Sequence, residues 1–336
     1  SVRAGPDVLG ITPDDVMLMS SPLAHNTGFM YGMSMPLMTG MTTVLQDIWD
    51  PGCALELIEA EGVTVTMGST TFLLDLCDAA RTHPADTSTL RLFICGGAPI
   101  PPSAAKLARD VLGAALVSCW GMTENGIATA TRPGDPDDKI AGTDGAPMPW
   151  VEVKVVDEQG AEQPPGVAGR LFVRGPNGHV AYLGRPDLYE ASFVDGWFDT
   201  GDLARIDADG YVRITGRAKD VIIRGGENIP ALEVEGALIE HPSVREVAVV
   251  GVPDARFGEC ACAVVVPADP AAPPTLDLLR EHLTRIGMTK VFWPERLEVR
   301  GELPRTASGK VQKFVLRDEL AHPPAPRGPQ PSQWAT

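Results

Sequence analysis

Apolar runs alternate with helix-period segments through the first third of the chain. Val16-Met17-Leu18-Met19 and Val63–Met67 read as buried strands. Thr70–Ala80 places Phe72, Leu73, Leu76, Cys77 and Ala80 on one face, which predicts a helix. Leu92–Cys95 is a further strand, ending in Gly96-Gly97-Ala98-Pro99. Ser103–Leu112 follows as a helix with Ser103 as its expected N-cap, and Ala115–Cys119 as another strand. This βαβ rhythm predicts a parallel sheet.

From about Pro147 the pattern shortens. Val151–Val156, Arg170–Val173 and Tyr211–Ile214 are β-rich runs separated by Gly and Pro, which predicts a small antiparallel sheet or barrel. Beyond Asp220 the pattern is mixed. Val221–Arg224, Val244–Val250 and Ala261–Val266 read as strands; Pro230–Glu240 and Leu276–Arg285 read as helices. The expected fold is α/β. A parallel-sheet subdomain (about 1–146) and a β-rich subdomain (about 147–217) form part of a large domain. A hinge at 218–220, a small α+β C-terminal domain (221–321) and a Pro-rich tail (322–336) follow. No internal repeat is evident.

A length of 336 residues suits two domains. The 28 Lys and Arg stand against 44 Asp and Glu, a net charge of −16. Such a surface repels nucleic acid and anionic membranes, so an anionic ligand needs a local basic cluster. The six Cys show no metal-ligand spacing and are expected as buried, reduced thiols of a cytoplasmic protein. Cys260 and Cys262 share one face of a strand. Val16–Leu45 is long enough to cross a membrane, but Pro22, His25, Asn26, Gly28, Gly32 and Pro36 interrupt it, so it is read as core and pocket wall.

Five polar signatures carry the candidate chemistry. Trp120-Gly121-Met122-Thr123-Glu124 follows a strand, where ligands of parallel sheets bind. It offers an aromatic face, close backbone approach, a hydroxyl and a hard oxygen for Mg²⁺. Gly96-Gly97-Ala98 lets a flat ring or an acyl group lie against the backbone. Asp199-Thr200-Gly201-Asp202 puts carboxylates on what reads as a tight turn, suited to paired ribose hydroxyls. Gly216-Arg217-Ala218-Lys219-Asp220 and Arg224-Gly225-Gly226-Glu227-Asn228 gather three cations in an acidic chain. Leu303-Pro304-Arg305-Thr306-Ala307-Ser308-Gly309-Lys310 presents one ammonium on a Gly-containing turn. Each has an ordinary alternative: a surface loop, a strand-to-helix turn, an Asp/Gly turn, a charged linker or a solvated lysine. A phosphate-binding Walker loop is excluded, because Pro304 and Val311 stand where it needs Gly and Ser or Thr.

In order and spacing the motifs resemble the adenylate-forming superfamily, which includes acyl- and aryl-CoA synthetases, peptide-synthetase adenylation domains and firefly-type luciferases. The likeness runs from about Val16 to Leu320. It implies that Trp120 stacks on adenine, with Gly96, Gly97, Ala98 and Gly121 along the nucleotide. Thr123 would contact phosphate, and Glu124 would bind Mg²⁺. Asp202 and Arg217 would hold the ribose. Lys219 would lie beside a pivot of domain rotation, and Gly225 and Gly226 would line a tunnel for CoA. Lys310 would bridge the substrate carboxylate and the α-phosphate.

Pro22–Phe29 resembles the acyl-pocket segment of CoA ligases, so His25, Asn26, Thr27, Gly28 and Met122 are expected around the acid. No clear equivalent of the Asp that holds an amino acid's ammonium is found. Seven of the eleven Met lie between Met17 and Met41 and are expected either to line an apolar pocket or simply to pack the core. Leu45–Asp50 adds to a look closest to cyclohexanecarboxylate-type and medium-chain acyl-CoA ligases. The implied activity is ATP-dependent joining of an aliphatic or alicyclic acid to CoA, with ATP, Mg²⁺ and CoA as small-molecule partners.

The superfamily's Ser/Thr/Gly-rich phosphate loop is not found in these 336 residues. The chain is therefore expected to be an N-terminally incomplete piece with little activity of its own. Sheet edges at such a cut favour association, including a homo-oligomer. The alternatives are a non-catalytic nucleotide- or CoA-binding fragment with an interaction role, or another adenylate-forming enzyme.

Overall fold

The computed structural model describes residues 2–97, 100–101, 103–306 and 309–321. They form two compact units. The larger runs to Lys219 and takes in Arg305–Lys310; the smaller comprises Asp220–Pro304 and the segment from Val311.

The larger unit is built on a seven-stranded sheet. Its strands are β1 (Val16–Met19), β2 (Thr42–Leu45), β3 (Val65–Gly68), β4 (Leu92–Gly96), β5 (Ala115–Met122), β6 (Gly126–Ala130) and β7 (Ala146–Pro147), in the order β2-β1-β3-β4-β5-β6-β7. The first five are parallel, and β6 and β7 return antiparallel. Alternate residues serve opposite faces. Leu18, Phe93, Cys95 and Leu116 pack under helices that include Pro51–Glu61 and Thr70–Ala80. Met17, Met19, Val65, Ile94 and Val117 face the other way, into a core shared with a second sheet.

That second sheet comprises β8 (Glu152–Val156), β9 (Gly169–Arg174), β10 (Phe193–Val194), β11 (Trp197–Ile206) and β12 (Val212–Arg217), all antiparallel. Asp199–Asp202 is not a tight turn but the middle of β11. Phe198, Thr200, Asp202 and Ala204 point inward in strict alternation, and the pairing with β9 slips at a bulge between Asp199 and Leu203, where Gly201 has φ +70°. Two polar residues at inward positions had hidden the period of two.

Further expectations need correction. The Ser103 side chain does not cap Ala104–Leu107, because residue 103 is already helical in its backbone. Cys53 is exposed on the first turn of Pro51–Glu61, whereas the other five Cys are buried, and all six are free thiols. Met17, Met19, Met35 and Met41 pack into the core. Among the described residues no helix is long and apolar enough to cross a membrane.

The smaller unit has a five-stranded sheet: β13 (Ile222–Arg224), β14 (Glu227–Ile229), β15 (Val244–Asp254), β16 (Gly258–Pro267) and β17 (Arg296–Val299). A long antiparallel β15–β16 pair forms its centre, with β17 parallel to β16. Ala231–Leu238 and Leu276–Arg285 cover one face; Leu316 and Leu320 of Lys313–Ala321 cover the other, against Cys260, Cys262 and Val264. Buried Glu235 lies 2.6 Å from the Lys313 ammonium and accepts a hydrogen bond from Val249 N. The Pro-rich tail lies outside the described residues.

Candidate active site

The site sits at the carboxyl ends of β4 and β5. Parallel strands leave their last carbonyls and the following loops open there, so ligands collect at this edge. At Gly97 the backbone adopts φ +79°, and a Cβ would lie 3.2 Å from Cε of Lys310. At Gly121 a Cβ would lie 2.0 Å from the Gly126 carbonyl oxygen, so the tight β5–β6 return admits only glycine.

One pocket gathers His25, Asn26, Thr27, Gly96, Gly97, Gly121, Met122, Thr123 and Lys310 from the candidate residues. None of the seven early Met lines it; Met67 and Met122 do. Ser21, Tyr31, Gly68, Ser69, Cys119, Gly126 and Ile127 complete the wall and belong to no motif read from the sequence. The apolar period could have exposed Tyr31 and Ile127, but Ser69 carried no signal beyond starting a helix. Gly28 packs away from the pocket, where a Cβ would lie 2.3 Å from the Pro22 carbonyl oxygen.

Charge at the site is sparse: Asp202 is buried, while Arg217 and Lys310 stay partly open to solvent. Burial lowers the pKa of Lys310 and the Arg217 guanidinium lowers it further, while Asp202 pulls the other way. His25 is also shifted down, first by burial and then by the Lys310 ammonium. Its Nδ1 accepts from Thr27 N at 3.2 Å, so the neutral ring carries its proton on Nε2. Trp120 is only 8% exposed, and its indole Nε1 donates to Asp202 Oδ2 at 2.8 Å. Arg217 Nε lies 2.9 Å from the other oxygen, Oδ1. Burial raises the Asp202 pKa against the opposing pull of Arg217 and Trp120. Thr200 holds this strand in place: its hydroxyl donates to Leu171 O and accepts from Asp202 N.

Glu124 is anchored from the second sheet's side. Tyr182 OH donates to Glu124 Oε1 at 3.1 Å, and His179 N–H donates to the Glu124 carbonyl. His179 in turn packs among Tyr182, Tyr189, Phe193 and Phe198. Burial and the nearby Glu124 push the Tyr182 phenol up to about 12, so it stays a donor. Among the described residues no three His, Cys, Asp or Glu side chains converge on a metal position. One carboxylate plus nucleotide phosphates is how Mg²⁺ usually binds, and Glu124 fits that role.

Other candidate residues are not among those lining this pocket. Lys219 belongs to the short turn Ala218–Asp220 and is exposed. Gly225 and Gly226, in the smaller unit, form the turn of the β13–β14 hairpin with φ +57° and +92°, and a Cβ on Gly225 would lie 3.1 Å from the Phe257 ring. Ala98 lies outside the described residues.

Residues 2–183 match the AMP-binding enzyme family, and residues 233–310 match the AMP-binding enzyme C-terminal domain. The chain belongs to the AMP-binding enzymes. It is 40% identical over 313 residues to a medium-chain fatty-acid–CoA ligase of Escherichia coli (strain K12), covering 93% of this chain and 55% of the relative. It is 39% identical over 309 residues to a feruloyl-CoA synthase of Amycolatopsis sp, covering 91% and 62%. Among solved structures, ATP-bound MatB from Rhodopseudomonas palustris superimposes with a TM-score of 0.87 at 34% identity, covering 96% of this chain and 63% of that one. This AMP-binding chain thus spans between half and two thirds of the length of these relatives.

Proposed function

We propose that this chain carries the adenylate site and the catalytic lysine of an ATP-dependent acid–CoA ligase acting on an aliphatic or alicyclic acid. The observation that carries the reading is Lys310, lodged against Gly97 at the end of β4 in the pocket that also holds His25 and Thr123. Tyr31, Met67, Cys119, Met122 and Ile127 add an apolar wall suited to a hydrophobic acid. The medium-chain ligase relative favours the same class.

In the first step a carboxylate oxygen bonds to the α-phosphorus of ATP, and the bond to pyrophosphate breaks. Two anions must meet, and the Lys310 ammonium would neutralise their repulsion. Thr123 would donate to the phosphate, while Asp202 and Arg217 would hold the ribose and Trp120 would line the adenine. Glu124, oriented by Tyr182, would hold Mg²⁺ on the phosphates; when bound, the ion supplies charge neutralisation there. In the second step the CoA sulfur bonds to the acyl carbon, AMP leaves, and the thiol proton passes to solvent. That step needs Lys310 away from the acyl carbon, and a pivot at Lys219 would provide it, with Gly225 and Gly226 along the thiol's path.

The test is ATP–pyrophosphate exchange by the natural gene product with a panel of aliphatic, alicyclic, aromatic and amino acids. Hydrophobic acids should lead, and Lys310→Ala should lower exchange by about two to three orders of magnitude. An amino acid ranking first would overturn the substrate class. The 336-residue chain alone should show little or no exchange, since it holds no phosphate loop; full turnover would refute that.

A further inference from the structure

Thr306, Gly309 and Lys310 are tied together by hydrogen bonds. Thr306 N donates to Lys310 O, Gly309 N to Thr306 O, and Lys310 N to the Thr306 hydroxyl. Holding Arg305 and Gly309 therefore holds the backbone from which the Lys310 side chain extends. Both meet the first turn of Thr70–Ala80. Arg305 Nη1 donates to the Gly309 carbonyl at 2.6 Å and to the Thr71 hydroxyl at 2.8 Å, tying the loop to the helix. Gly309 itself has φ +81°, and a Cβ there would lie 2.9 Å from Ser69 Oγ and 3.3 Å from the Phe72 ring. Ser69 is buried, and among the described residues its hydroxyl has no hydrogen-bond partner.

The turn is rigid from behind. Phe72 stacks on Trp49 at 4.3 Å and 14°, and the Trp49 indole donates to Asp75 on the same helix.

We propose that the first turn of Thr70–Ala80 is a docking seat for the Lys310 loop, with Thr71 and Ser69 as positioning residues. Thr71 binds the loop through Arg305, and Ser69 sets the space that only a glycine at 309 can enter. The catalytic consequence rests on the ligase reading above: the seat serves adenylation alone, because only that step needs Lys310 in the pocket.

Two measurements on Thr71→Val, Thr71→Ser and Ser69→Val test this. In hydrogen exchange, Thr71→Val should speed the amides of Thr306, Gly309 and Lys310 roughly tenfold, the worth of one charge-assisted hydrogen bond on a part-buried surface. Thr71→Ser should restore wild-type exchange, Ser69→Val should act like Thr71→Val, and the amides of β4 and β5 should not change. In the natural gene product, Thr71→Val should lower the kcat of pyrophosphate exchange by a similar factor, with the KM for the acid and thioester formation from supplied acyl-adenylate unchanged. Unchanged loop exchange in Thr71→Val overturns the seat. So does a parallel loss of thioester formation, which would mark a folding defect. If no acid supports exchange even in the wild type, the ligase reading fails, and the amide measurement still decides the seat.

Discussion

Asp202 has a structural duty that the proposed nucleotide role would add to. Its carboxylate joins the Trp120 indole to the Arg217 guanidinium inside a bulged strand. Asp202→Asn keeps an acceptor for the indole but removes the charge facing Arg217. It should weaken AMP binding by calorimetry roughly tenfold or more, while thermal stability changes little. Unaltered affinity would detach Asp202 from the nucleotide. Asp15 is the contrasting case, with a purely structural duty. Burial opposes its charge, yet hydrogen bonds from Arg91, Thr64 and Thr12 N bring its pKa down to about 2. A lowered carboxyl stabilises the fold above its unfolded value near 3.8 and loses that contribution as pH falls toward 2. Asp15→Asn should cost about 1.5 kcal/mol at pH 7, after allowing for solvent screening at half-exposed Arg91. In urea melts most of that difference should be gone by pH 2. Lys310 and Glu124 drew notice in the sequence because they sit in spaced motifs, and Lys310 does line the pocket. Ser69, Thr71 and Tyr182 were not, because one hydroxyl on a helix or loop has no pattern until the fold gives it a neighbour.

At the scale of elements, apolar period was a sound guide wherever one face is wholly apolar. Thr70–Ala80 and Leu276–Arg285 have the bounds the sequence predicts. It misled at β11, where Thr200 and Asp202 occupy inward positions, and at Ser103, where capping chemistry was present without the geometry. Thr275 does have that geometry: its hydroxyl accepts from Leu278 N at the start of Leu276–Arg285. Thr275→Ala should therefore destabilise the smaller unit by about 1 kcal/mol in denaturant melts, and Thr275→Ser should not. The paired glycines make a similar point. The family resemblance implied a ligand path for them, while the structure gives them the positive φ values that a two-residue hairpin requires. Gly226→Ala should cost about 1–2 kcal/mol through backbone strain alone, before any effect on CoA.

At the scale of the molecule, two compact units with separate cores need not unfold together, so a single midpoint would misdescribe the chain. A buried histidine gives the smaller unit an acid response of its own. His241 and His282 are buried in the smaller unit with rings perpendicular at 5.2 Å. His241 Nδ1 accepts from Ser243 N, and His282 Nε2 meets the Ala237 carbonyl. Burial shifts the His241 pKa below its ordinary 6.5, and His282 and Arg285 beside it push the same way. A histidine lowered by folding binds its proton more readily when unfolded. Its contribution is therefore whole above about pH 6.5 and falls as pH drops below that value. The smaller unit should lose native-state amide protection in β15 and β16 between pH 7 and 5, after correction for intrinsic exchange rates. His241→Asn retains an acceptor near Ser243 N but cannot titrate, and it should flatten that pH slope. A slope that survives in His241→Asn would move the acid sensitivity to another group.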